Sequence, residues 1–289
     1  MTFDDILVFD TETTGLPDRK LQWFTDYMEF PHVVQLAWIN QFKAESHFIR
    51  PDGWEIPQEA TDVHGITMER ALKEGEPFAY VIDKFIEDCL ESRLVCGHNI
   101  YFDTSIIKAN ILRELGQEYY NANRVEDALY KGKRIDTCRS TMKWVDARMA
   151  NGRMKLPKLE ELYSRCFPGE SYPAHDAFED VKALRRCLPV LIKNGLVELK
   201  IKEYPDEETE QTKAITEHLT NCAKIAADNA NKLADAQPEI HYPAGGIAPQ
   251  SHEIPERVLT PGATEKCPQI ENSPKISEIE TQLLNENEF

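Results

Sequence analysis

The chain has 289 residues, 41% of them hydrophobic, and a net charge of -17, which fits one ordinary domain with a core and a long polar extension. No apolar run is long enough to cross a bilayer, and the first residues lack a basic segment leading into an apolar one, so neither a membrane span nor a secretory leader is expected. The cysteine count is seven, with no Cys-x-x-Cys pair, which argues against a disulfide framework and a zinc ribbon and fits a reducing cytoplasm.

Residues 1–200 read as one α/β domain. ILVFDTE, from Ile6 to Glu12, predicts a first strand. His32 to Phe42 predicts a long strand, and ESHFIRP its antiparallel partner. The segment from Ile56 to Thr67 reads as a turn-rich connection. Between Pro77 and Ser92, the apolar residues Val81, Ile82, Phe85, Ile86 and Cys89 recur at helical spacing. Leu94 to Cys96 form a short buried strand, with a helix expected from about Phe102 to Leu115. Lys133 to Met149 suggest a short strand followed by a helix. Another helix is entered through Pro157, near its first turn. His175 to Gly195 predict a long helix that Pro189 can kink and Gly195 stops. Strands alternating with helices predict a mixed sheet flanked by helices.

Charge is unevenly spread. Lys131 to Arg165 hold ten basic and four acidic residues, a stretch a phosphate backbone would feel, although helical charge runs also arise as solvated faces. From Glu203 onward there are seventeen acidic and six basic residues. Residues 201–289 are therefore expected to form a polar acidic tail, partly helical near 214–234 and otherwise disordered.

Three segments carry the chemistry. In a strand, Asp10 and Glu12 point to one face and Thr11 to the other. Paired carboxylates repel unless one is protonated or a cation lies between them, and hard oxygen ligands suit Mg²⁺ or Mn²⁺. A strand end offering its carboxylates to solvent, or capping a helix, would read the same. In VCGHNIYFDTSII, Asp103 falls in the first turn of a helix at the carboxyl end of a strand, where open α/β sheets gather ligands. An acid complementing the helix dipole is the alternative there. His98 and Asn99 are expected to hold the turn. In AHDAFEDVKAL, His175 leads into a helix that carries Asp180, and a histidine beside a cation site can serve as general base. Asp176 and Glu179 are assigned to solvent and dipole roles.

Taken in order, FDTETTGLP, then HNIYFD, then HDAFED at its interval resembles the DEDD exonuclease superfamily. The histidine variant resembles the DEDDh branch, of the DNA polymerase III epsilon-subunit (DnaQ-like) type. VHGIT, from Val63 to Thr67, and RIDTCRSTM, from Arg134 to Met142, agree with it, and the resemblance covers about residues 4–195. It implies a ribonuclease H-like fold and a metal-dependent 3′-to-5′ exonuclease that releases nucleoside 5′-monophosphates from DNA in proofreading or repair. Asp10, Glu12, Asp103 and Asp180 are then the ligands of two Mg²⁺ ions, with Mn²⁺ able to substitute, and His175 activates water. Thr13, Thr14, Gly15, Leu16 and His64 are implied contacts of the terminal nucleotide. The implied partner is a nucleic acid 3′ end, single-stranded or frayed.

An RNA or oligoribonucleotide exonuclease of the same branch is the alternative, since the sugar is read by pocket shape and 2′-OH contacts. A polymerase- or clamp-binding adaptor is a second, and it predicts a broken carboxylate set. The terminal QLLNENEF shares only Gln282 and Leu283 with a clamp-binding pentapeptide. Trp23, Phe24, Tyr27 and Phe30 read either as base-stacking groups or, preferentially, as packing for their own loop. Gln35, in mid-strand, needs hydrogen-bond partners and is given no catalytic role.

Overall fold

A computed structural model describes residues 5–201 of the chain. The expected acidic tail, its helix near 214–234 and the clamp-like terminus lie outside the described residues. Five strands, β1 (Ile6–Thr13), β2 (Val33–Ile39), β3 (Ala44–Phe48), β4 (Leu94–Gly97) and β5 (Arg134–Asp136), form one sheet in the order β3-β2-β1-β4-β5. β1 is antiparallel to β2 and parallel to β4; β2 is antiparallel to β3, and β4 is parallel to β5. This is the mixed sheet flanked by helices expected of a ribonuclease H-like fold. None of the described helices is long and apolar enough to cross a membrane.

The helices are α1 (Gln58–His64), α2 (Met68–Glu74), α3 (Phe78–Glu91), α4 (Ile100–Glu114), α5 (Gly116–Ala122), α6 (Val125–Ala128), α7 (Thr137–Val145), α8 (Leu159–Cys166) and α9 (Ala177–Lys193). β1 explains why both faces are covered. Its alternation sends Leu7 and Phe9 into a core with Ile82 and Phe85 of α3 and Ile106 and Ile107 of α4. It sends Ile6 and Val8 into a second core with Leu162 of α8 and Val181, Leu184 and Leu188 of α9. A strand apolar on both sides has to lie between two such layers. Asp10 and Glu12 continue the parity of Ile6 and Val8, so they fall on the α9 face. Thr11 continues that of Phe9 and falls on the α4 face.

Several boundaries differ from the expectations. The segment read as a turn-rich connection folds into α1 and leads into α2. Each is seven residues long, too short to show a period, and both are held by a separate cluster of Val34, Ile56, Ala60, Ile66 and Ala71. Thr67 starts α2 by accepting a hydrogen bond from the Arg70 amide. α4 begins at Ile100, earlier than expected, directly after Asn99, whose backbone turns through the left-handed region and whose side chain makes no cap hydrogen bond. Pro157 lies outside α8, whose cap is Lys158. α9 continues through Pro189. Beyond it Gly195 adopts φ +67° while the Leu196 amide reaches back to the Leu191 carbonyl, which closes the helix end.

Candidate active site

Asp10 and Glu12 leave the carboxyl end of β1 side by side. α9 brings the third group. Its cap, Asp176, accepts from the Phe178 and Glu179 amides, and Asp180 follows in the first turn. Oxygens of Asp10, Glu12 and Asp180 all lie within 4.8 Å of one another. The start of α9 is fixed by Gln35, which pairs with Glu12 across β1 and β2. The Gln35 carbonyl accepts from the Ala177 amide at 3.2 Å, and its amide group donates to Ser46 Oγ at 3.2 Å and Asp176 Oδ2 at 3.4 Å. It is fully buried, so these partners replace the water it lost. Sequence reasoning asked for such partners but did not name them; of the solvent and helix-dipole roles given to Asp176, its place at the start of α9 agrees with the second, and its bond to Gln35 was not foreseen.

Asp103 arrives from the opposite side of β1. Its Oδ1 accepts from the Thr11 amide at 3.2 Å and the Thr11 hydroxyl at 2.7 Å. The fourth carboxylate therefore stands apart from the three-oxygen group but against the same strand. Thr11, which no sequence motif singled out for this task, fixes it. The turn before α4 is held as expected. His98 Nε2 donates to the Pro157 carbonyl at 2.8 Å, and its Nδ1 lies 3.0 Å from the Thr137 hydroxyl. Asn99 has φ 69°, and its amide donates to Asp136 Oδ1, which also caps α7 through the Cys138 and Arg139 amides.

The electrostatics follow from crowding acids in a desolvated corner. Burial first, then the charges of Asp103 and Asp180, hold Asp10 well above the usual carboxylate range. Burial and the same neighbours push Glu12 up to about 8. Burial raises Asp103 to about 7 against the opposing hydrogen bonds from Thr11. It raises Asp180 to about 6, opposed by Tyr172 and the His175 amide. Asp180 Oδ1 and the Tyr172 hydroxyl are buried and lie close enough to perturb each other, yet neither completes a well-aligned hydrogen bond. Hard oxygen donors and the mutual repulsion of clustered acids are what a divalent cation would resolve, so the residues present fit such an ion.

His175 sits on the loop before α9 with φ 69°. Its amide donates to Asp180 Oδ2 at 3.2 Å, and its half-exposed ring places Nε2 3.6 Å from Glu160 Oε1 of α8. Thr13 turns its hydroxyl onto the Gly15 carbonyl, and Thr14 exchanges two hydrogen bonds with the His32 backbone. Leu16 is 84% exposed beyond them. His64 is buried, its Nδ1 accepting from the Ile66 amide while Nε2 has no hydrogen-bond partner. Trp23 packs over Tyr120, and together with Tyr27 it lies against the α3–α4 core, in line with a loop that packs on its own domain.

The model of the RNase_T family, described as exonuclease, matches residues 7–188. The chain belongs to this exonuclease family. The matched span contains all four acidic positions and His175. No curated protein matches the sequence. Among solved structures, exonuclease I from Methylocaldum szegediense aligns over 65% of this chain and 40% of its own, with 20% identity and a TM-score of 0.50. An exonuclease I/SSB-Ct complex aligns over 66% and 42%, with 18% identity and a TM-score of 0.50. E. coli exonuclease I in complex with a dA16 oligonucleotide aligns over 66% and 41%, with 19% identity and a TM-score of 0.49. The first two show a shared fold. This exonuclease-family chain spans less than half the length of these proteins.

Proposed function

We propose that this chain is a metal-dependent 3′-to-5′ exonuclease of the DEDDh, epsilon-like type. It hydrolyses the terminal phosphodiester of a single-stranded or frayed DNA end in proofreading or repair and releases nucleoside 5′-monophosphates. The observation that carries the reading is the meeting of Asp10, Glu12 and Asp180 oxygens within 4.8 Å, with Asp103 locked against the same strand by Thr11. These four residues would hold two Mg²⁺ ions, which when bound supply Lewis acidity to the scissile phosphate and its nucleophile.

The chain's own groups do the rest. Thr11 and Gln35 hold the carboxylates in register from two sides. His175 takes the proton from the water that attacks the terminal phosphorus; the bond from that phosphorus to the preceding 3′ oxygen breaks, and that oxygen takes up a proton from solvent to leave a new 3′ hydroxyl. Its loop is tied to Asp180, so the base stays beside the carboxylates it serves. Thr13, Gly15, Leu16 and His64 border the carboxyl end of β1, where the terminal nucleotide would sit.

The DNA preference rests on the resemblance of the motifs to the epsilon type. The matching family's name, RNase_T, keeps RNA trimming as a second reading. Purified protein with Mg²⁺ is given 5′-labelled and 3′-labelled single strands of DNA and RNA, beside an Asp10→Ala control. Stepwise shortening from the 3′ end, absent in the control, is expected, with DNA degraded faster than RNA. No 3′ shortening, or equal activity in the control, overturns the reading; faster RNA degradation moves it to the second. The exonuclease domain is assigned to residues 1–200. A polymerase or clamp contact beyond it is a separate proposal, which co-purification with a clamp would test.

A further inference from the structure

Between α7 and α8 the chain makes a hairpin. The Lys155 amide donates to the Ala147 carbonyl, the Met149 amide to Arg153, and the Gly152 amide to Met149, with Arg148 opposite Met154. From Ala147 to Lys158 the sequence, ARMANGRMKLPK, has four basic residues and no acidic one, in a chain whose net charge is -17. Asp146, Glu160 and Glu161 flank the hairpin, so the excess of positive charge is confined to the excursion itself.

The hairpin is tied to the site at two points. Its outgoing arm presents the Pro157 carbonyl to His98 Nε2, one residue from the turn that launches α4 and Asp103. Three residues later, Glu160 lies beside His175. The arm thus forms a wall from the second carboxylate segment to the third. Two cations are committed within the fold: Arg148 bonds Asp146 and the Gly152 carbonyl, and Lys155 pairs with Glu161. Arg153 and Lys158 are exposed and form no ion pair within 4.0 Å among the described residues, although the Lys158 charge is near enough to Glu161 to help hold its carboxyl below the usual range. Met149, Met154 and Leu156 are interleaved with them and stand 50%, 38% and 41% exposed. Cations for phosphates alternating with apolar groups for base faces suit a polynucleotide strand better than a folded acidic protein surface.

We propose that this hairpin is the track for the strand upstream of the reacting 3′ end, with Arg153 and Lys158 contacting its phosphodiesters. The inference rests on the exonuclease reading for its substrate class, yet binding tests it apart from turnover. Full-length protein in chelator is titrated against 5′-fluorescein oligothymidylate and oligouridylate over a range of salt, and anisotropy gives Kd. The double variant Arg153→Gln/Lys158→Gln is compared with wild type and with Lys73→Gln, an exposed cation on α2 outside the hairpin.

The hairpin variant should bind roughly tenfold more weakly at low salt, and its salt slope should be shallower by about 0.7 for each lost contact. Melting temperature should not change, and Lys73→Gln should match wild type. Weakening with both strands marks the shared phosphodiester as the ligand; weakening with only one assigns the track to that sugar. Unchanged affinity and slope overturn the inference and leave the hairpin as a protein-facing surface. If the hairpin variant loses binding while the wild type never shortens a strand, the exonuclease reading falls and the track stands.

Discussion

Thr11 separates the two carboxylates of β1 in sequence but faces away from both, and it spends its amide and hydroxyl on Asp103. Thr11→Val keeps the shape and removes the hydroxyl donor. A hydrogen bond to a charged group contributes about 1.5–3 kcal/mol, so Asp103 should titrate higher and ligate less readily. The expected outcome is a higher Mg²⁺ concentration for half-maximal hydrolysis, accompanied by a lower urea midpoint because a buried carboxyl loses its hydroxyl donor. Equal Mg²⁺ dependence would remove Thr11 from the positioning role. The raised carboxylates make a second prediction. Glu12, Asp103 and Asp180 titrate in the fold at about 8, 7 and 6, above their ordinary values of 4.5, 3.8 and 3.8. Their protonated forms therefore favour the fold. That contribution is full below the ordinary values and is lost as pH rises through the folded ones. In chelator, the melting temperature should fall between about pH 5 and about pH 9, and saturating Mg²⁺ should flatten the fall. Asp10→Asn should raise the melting temperature of the chelated protein at the alkaline end while abolishing hydrolysis. A chelated protein whose stability is flat with pH would refute this account of the site.

At the scale of elements, the site depends on how firmly α9 enters the sheet. Gln35 accepts from the Ala177 amide and donates to the Asp176 carboxylate that caps the helix. Gln35→Leu would leave the buried Ala177 amide without its partner and remove one donor from the Asp176 carboxylate, which costs about 1–3 kcal/mol by urea unfolding, and should lower kcat more than it raises KM. An unchanged kcat would show that Asp180 holds its place without this anchor. Elements whose pattern is long were legible in sequence: α3 and α9 through their helical spacing, β1 through its apolar run, and the order of acidic segments through their motifs. The α1–α2 pair was not, because two helices of seven residues show no period and gain their stability from the Val34–Ile66 cluster. The need of Gln35 for partners was legible, but the partner lies 141 positions away, a distance no local pattern spans. The same holds for Thr11, whose parity places it opposite the carboxylates but does not say what it meets there.

The whole molecule divides its charge in a way that bears on binding. The described residues of both large cores run to Leu199, and the family match ends at residue 188. The segment from Glu203 onward carries seventeen of the chain's fifty acidic residues and six of its thirty-three basic ones. A chain ending at residue 201 retains every described residue of the two cores that hold the sheet and the whole matched span, so it should melt at the temperature of the full chain and keep its activity. Its affinity for a polyanion should change, because removing net negative charge relieves a long-range repulsion felt by an approaching phosphate backbone. The gain should be largest at low ionic strength and vanish near 1 M salt, where the screening length is about 3 Å. Measured by anisotropy, the shortened chain should associate faster at low salt, with dissociation little altered, because long-range charge acts on encounter more than on the formed complex. A lower melting temperature would instead show that residues beyond 201 belong to the folded unit, and a slower dissociation would show that they touch the strand's own site.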